Sequence, residues 1–188
     1  MVRALAIAVV ALGLAAQSLP GLPPSLALIQ RFAHSPGPYR DVTVTTNEAN
    51  AYLAGSGAER LPRGVSQVVI ATEPGVVAGT ALVDFDQLGR TSNPELMFFN
   101  GQHRVAIRVR VDSASAPLAY LTVTEVRLDG VVIPNWLVDA AARAFVQPHH
   151  PGVGRNFTAP LPAHASSVSV GRAQATVHYP AAPAARGH

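Results

Sequence analysis

The chain of 188 residues contains no cysteine and no lysine. The first absence excludes disulfides and thiolate metal sites, so an exported form must be held by packing alone. The second leaves arginine as the only strong base. Together with abundant alanine, proline and glycine, it reads as the bias of a GC-rich bacterial genome. The arginines are dispersed, without a run and without interleaved aromatics, so a net charge of +3 gives no footprint for nucleic acid. Phosphate loop, nucleophile elbow, zinc-protease pair and dinucleotide fingerprint are all missing. No internal repeat at a solenoid period is visible. No apolar run reaches the ~20 residues that a membrane-spanning helix needs.

What is present begins with an N-terminus of secretory type. Arg3 supplies the positive region, Ala4 to Leu14 the apolar stretch, and small residues allow cleavage after Ala15 or Ser18. Residues 1–18 are expected to be a signal peptide, the alternative being an uncleaved anchor. Prolines at 20, 23, 24, 36 and 38 then mark 19–38 as an extended tether, with room for one or two helical turns around Leu26–Phe32. The remainder fits one domain over 39–180, followed by a frayed tail over 181–188.

Within that domain Arg40 to Thr45 alternates as a strand. Thr45 with Glu48 forms a capping-box pattern opening a helix to Ala54, with Ala49, Tyr52 and Leu53 inward and Asn50 exposed or bonded to backbone. Val65–Thr72 and Val76–Asp86 read as a hairpin about Glu73-Pro74-Gly75. A long connection carries Leu96-Met97-Phe98-Phe99, which either covers one end of the core or forms an exposed apolar patch. From His103 to Asp112, Val105, Ile107, Val109 and Val111 point one way and Arg104, Arg108 and Arg110 the other. Leu118–Asp129 returns, and a turn centred on Ala114-Ser115 would set Arg104 opposite Glu125. Gly130 breaks that strand, Val131–Ile133 makes a short apolar step, and Pro134 opens a helix to about Gln147 with Leu137, Ala140, Ala141, Ala144 and Phe145 as its buried stripe. Ser166–Tyr179 makes a last hairpin with its turn near Gly171-Arg172. The expected fold is α+β: a long, twisted antiparallel β-sheet wrapped around one or two helices.

Candidates for chemistry are few. His149-His150, His164 and His178 lack metal-ligand spacing, so no metal and no cofactor is expected. Asp84 and Asp86 on one strand face read as a solvated edge rather than an acid–base pair. The Arg104, Arg108, Arg110 stripe suits phosphate or carboxylate groups, against the plainer reading of a solvated sheet face.

Three short motifs carry a resemblance: Thr45-Thr46-Asn47-Glu48-Ala49-Asn50-Ala51-Tyr52-Leu53, Gly130-Val131-Val132-Ile133-Pro134 with its helix, and Leu161-Pro162 followed by Ser167-Val168-Ser169-Val170. Together they resemble the LmeA-like and YpmS-like bacterial envelope proteins, themselves similar in shape to tubular lipid-binding domains. The likeness spans most of 42–179. It departs at Ala163-His164-Ala165, where the family carries Pro-Gly or Ile, and in a length too short for a full tubular module. The resemblance implies an apolar groove for acyl chains, lined by Val105, Ile107, Val109, Tyr120, Leu137, Ala141 and Phe145, with headgroups at Arg104, Arg108 and Arg110. Function is then expected to be non-enzymatic binding of lipid or another amphiphile by an exported protein, periplasmic or attached to the outer face of the inner membrane. The alternative is a structural or protein-interaction module that docks a partner through a sheet edge or apolar patch.

Overall fold

A computed structural model of the chain describes residues 22–34, 40–88, 99–147 and 154–180. Its order is α1 (Pro24–His34), β1 (Val42–Thr45), α2 (Thr46–Ala54), a 3-10 turn (Ala58–Arg60), β2 (Val65–Glu73), β3 (Val76–Asp84) and α3 (Phe85–Leu88). Then come β4 (Gln102–Ser115), β5 (Leu118–Leu128), β6 (Val131–Val132), α4 (Asn135–Ala141) running into a π-helical turn (Ala142–Val146), β7 (Asn156–Pro160), β8 (Ser167–Gly171) and β9 (Gln174–His178). The nine strands form one antiparallel sheet in the order β1-β9-β8-β4-β3-β2, with β5 pairing β4, β6 and β7. The fold is α+β, with the sheet wrapped around its helices.

The longest strand, β4, is the spine. Alternating β-branched residues and arginine suit a pleated surface with one buried face. It pairs with β3 from Gln102 to Arg110, with β5 from Val105 to Ser115, and with β8 at its tip, Ser115. The tips of two hairpins interlock beside it: Gly75 N–H donates to the Val170 carbonyl (3.0 Å), and its own carbonyl accepts from Val111 N–H (2.8 Å). Gly75 sits at φ +68, a conformation that a side chain disfavours.

Two cores share the inner face. The larger joins Leu53, β2 to β5 and α4, including Val83, Val109 and Leu121. The smaller joins α1 to β1, α2 and β9 through Leu26, Ile29, Phe32, Val42, Val44, Tyr52, Val177 and Tyr179. The expected tether over 19–38 is therefore corrected in its middle. Pro24–His34 is a three-turn helix whose Leu26, Ile29 and Phe32 are buried, with Phe32 edge-on to Tyr179 at 5.1 Å. Pro23 and Pro24 stand at the helix start, where a missing N–H costs nothing, so here proline opens a helix rather than holding an extended chain.

Two registers also differ from expectation. The β4–β5 turn falls at Ala116-Pro117, so Glu125 faces Arg108 rather than Arg104, and Thr122 faces Arg110. Asp84 and Asp86 do not share a strand face. Asp84 ends β3, and its carboxylate accepts from Asp86 N–H (3.1 Å) and Gln87 Nε2 (2.7 Å), capping α3. The capping box at Thr45 is present, and Asn50 bonds to backbone as expected, donating to the Ile70 carbonyl (2.9 Å) and accepting from Ile70 N–H (2.7 Å). The segments 1–18, 89–98 and 181–188 lie outside the described residues.

Candidate functional site

Where the two cores meet, the inner face is hollow. The larger hollow measures about 900 Å³ counted out to open solvent. It is bounded by Leu26 of α1, Ala49, Tyr52 and Leu53 of α2, Ala119 and Leu121 of β5, Ala159 of β7 and Ala175 of β9, among others. The polar side chains on its wall are Thr45, Thr46, Thr72 and Tyr52. Small residues create the space: Ala49, Ala114, Ala119, Ala159 and Ala175 stand where larger ones would meet across it. At its edge Ser25 Oγ donates to Glu48 (3.0 Å), tying α1 to α2. Hydrogen bonds from the Thr45 backbone N–H and hydroxyl hold the Glu48 carboxyl below its ordinary range, so it stays ionised beside the opening.

A smaller hollow of about 540 Å³ on the same count opens beside α4, lined by Phe85, Phe99, Ile107, Val123, Ile133 and Phe145 among others. Ala142 and Phe145, both in the π-helical turn, stand on its wall. Phe85, Phe99 and Phe145 pack ring against ring within 5.1 to 6.2 Å. Next to them His103 clamps two turns together. One ring nitrogen meets Asp129 Oδ2 at 2.6 Å and the other the Asn100 carbonyl at 2.7 Å. Both partners only accept, so the arrangement favours the ring with a hydrogen on each nitrogen, the imidazolium. The Asp129 hydrogen bond accordingly raises the His103 pKa, and His103 lowers that of Asp129.

The sequence-derived groove maps onto these hollows only in part. Ile107, Ala141 and Phe145 line the smaller one. Val105, Val109 and Leu137 are packed in the larger core and border neither hollow. Tyr120 does not belong to a groove at all: it is 53% exposed on the outer face. The cause is register. Val109 pairs with Val123 and Val111 with Leu121, so odd-numbered residues of this stretch face inward and Tyr120 outward. The arginine stripe occupies the outer face too, opposite Val105, Ile107 and Val109. Arg108 bonds Glu73 (2.9 Å) and Arg110 bonds Asp112 (2.6 Å), while Arg104 lies close to Asp129. None of the three lines either of these two hollows. Phe99 covers the core end at 3% exposure; Leu96, Met97 and Phe98 lie outside the described residues.

An exposed apolar tip adjoins the smaller hollow. Val131 and Val132 on the short edge strand, and Trp136 at the start of α4, flank Ile133, which points inward to the hollow. No helix among the described residues is long and apolar enough to cross a membrane. Comparison with protein families, with curated proteins and with solved structures finds no match to this chain.

Proposed function

We propose that the protein binds a lipid or similar amphiphile, holding an apolar chain in the larger hollow without covalent chemistry. One observation carries the reading: an open hollow between the two cores whose wall is almost wholly apolar, broken only by Thr45, Thr46, Thr72 and the phenol of Tyr52. A polar ligand would find few partners there, whereas burying an apolar chain contributes about 0.8 kcal/mol per methylene. The secretory pattern of residues 1–18 and the LmeA-like resemblance support a setting in the bacterial envelope, with a membrane as the source of ligand.

A fluorescent polyene fatty acid titrated into the protein tests the reading. Saturable emission enhancement is expected, competed by unlabelled fatty acid. Ala49→Phe, which fills the larger hollow from α2, should weaken binding at least tenfold, while Ala141→Phe at the smaller one should leave it unchanged. Equal binding by Ala49→Phe and the wild type would contradict the assignment.

The second reading, a docking module, draws on the exposed Val131, Val132 and Trp136 tip. Trp136→Ala would then abolish partner capture without touching fatty-acid affinity.

A further inference from the structure

On the outer face of β1, β9 and β8, away from both hollows, three side chains form a chain of hydrogen bonds. Asp41 Oδ2 lies 2.8 Å from His178 Nδ1, and His178 Nε2 lies 2.8 Å from Ser169 Oγ. The second carboxylate oxygen of Asp41 accepts from Tyr179 N–H (3.3 Å). From this arrangement we infer that Ser169 is an activated nucleophile that accepts acyl groups from activated carboxylic esters.

The fold builds the relay by strand pairing. Val42 pairs with Val177, which sets Asp41 level with His178. Ser167 pairs with His178 and Ser169 with Thr176, so Ser169 stands one diagonal step from the imidazole on the same face. The alternate residues Val42 and Val177 are buried in the smaller core beneath, with Val168 packed against it, which fixes the strands that carry the three groups. The carboxylate accepts only, so the Nδ1 proton points to Asp41 and leaves the Nε2 lone pair for the Ser169 hydroxyl. Nucleophile bonded to base and base bonded to an orienting carboxylate is the pattern by which serine is activated. The His178 bond also holds the Asp41 carboxyl below its usual range, keeping it ionised as the orienting group.

The step balances with water as the second reactant. Ser169 Oγ forms a bond to the ester carbonyl carbon while its proton passes to His178 Nε2. The carbon–oxygen bond to the leaving group then breaks, and the leaving oxygen takes that proton. Water, deprotonated by the same nitrogen, releases the acid and restores Ser169. Ser169 and Asp41 are exposed, so an oxyanion on the bound carbonyl faces solvent. Catalysis without a built oxyanion site suits esters whose leaving group is already good, such as aryl esters.

The test uses p-nitrophenyl acetate and diisopropyl fluorophosphate on the full chain, read by nitrophenol release and by intact and peptide mass. Expected is one equivalent of label, on Ser169. Ser169→Ala should lose the label, and Asp41→Asn should slow it at least tenfold, by removing the carboxylate charge that fixes the tautomer of the imidazole. Ser169 and Asp41 are exposed, so both variants should remain folded, checked by cooperative melting of each. A label on Ser166, Ser167 or elsewhere, or a rate unchanged by Asp41→Asn, would overturn the inference, as would labelling no faster than in urea-unfolded protein.

Discussion

Asn50 shows how one side chain can stand in for a strand. β2 is an edge strand, bulged between Ser66 and Val69 with Gln67 at φ +50, and its backbone at Ile70 turns towards α2. The Asn50 amide supplies both a donor and an acceptor to Ile70, as a neighbouring strand would. Asn50→Ala removes both partners from a part-buried peptide and is expected to cost about 1–3 kcal/mol in urea unfolding; a loss of a few tenths would mean that water replaces the amide freely. His103 makes a second prediction at this scale. Its pKa is raised above 6.5, so its contribution to stability is complete below about that pH and fades as pH rises through the raised value. Asp129 is lowered from 3.8, so its contribution is present above that value and fades on acidification through the lowered one. The clamp is therefore strongest in mildly acidic solution. The melting temperature of the wild type should exceed that of His103→Gln most near about pH 5 to 6, and the gap should narrow by about pH 9. A gap that widens on the alkaline side would mean that the ring is neutral in the native state.

Among the elements, α1 carries the sharpest claim. If Pro24–His34 is part of the domain, Phe32→Ala should cost about 3–5 kcal/mol, the usual range for truncating a buried phenylalanine. A segment acting only as a tether would leave unfolding unchanged. This helix was hard to read because prolines that open a helix look, in sequence, like those of an extended linker. The hairpins were legible because alternation and turn residues agree: Pro74-Gly75 and the Gly171 to Gln174 reversal fall where the sequence places them. β5 was legible only as a strand. Its inward residues run Ala119, Leu121, Val123 and then Val126, Leu128, a change of phase at the bulge beside Thr124-Glu125. That break is visible in the sequence, and it is what puts Tyr120 outside. The larger hollow was not legible, because its wall is assembled from alanines and aliphatics between Leu26 and Ala175 that share no local pattern. Nor was the Asp41, His178, Ser169 relay, whose members meet only because β1, β9 and β8 are neighbours.

For the molecule as a whole, an apolar site makes a quantitative demand. If the larger hollow takes an unbranched chain, affinity across a series of fatty acids should rise about fourfold per methylene, the equivalent of about 0.8 kcal/mol, until the hollow is full. It should then level off. Affinity indifferent to chain length would place the contact at the headgroup or on the exposed Val131, Val132, Trp136 tip instead. The most direct test is native mass spectrometry of the full chain purified from a bacterial host, followed by organic extraction. The expected result is a reproducible added mass that extracts as a phospholipid, fatty acid or related amphiphile and is missing from Ala49→Phe. A clean unliganded mass, unchanged after incubation with phospholipid vesicles and with fatty acid, would contradict amphiphile binding.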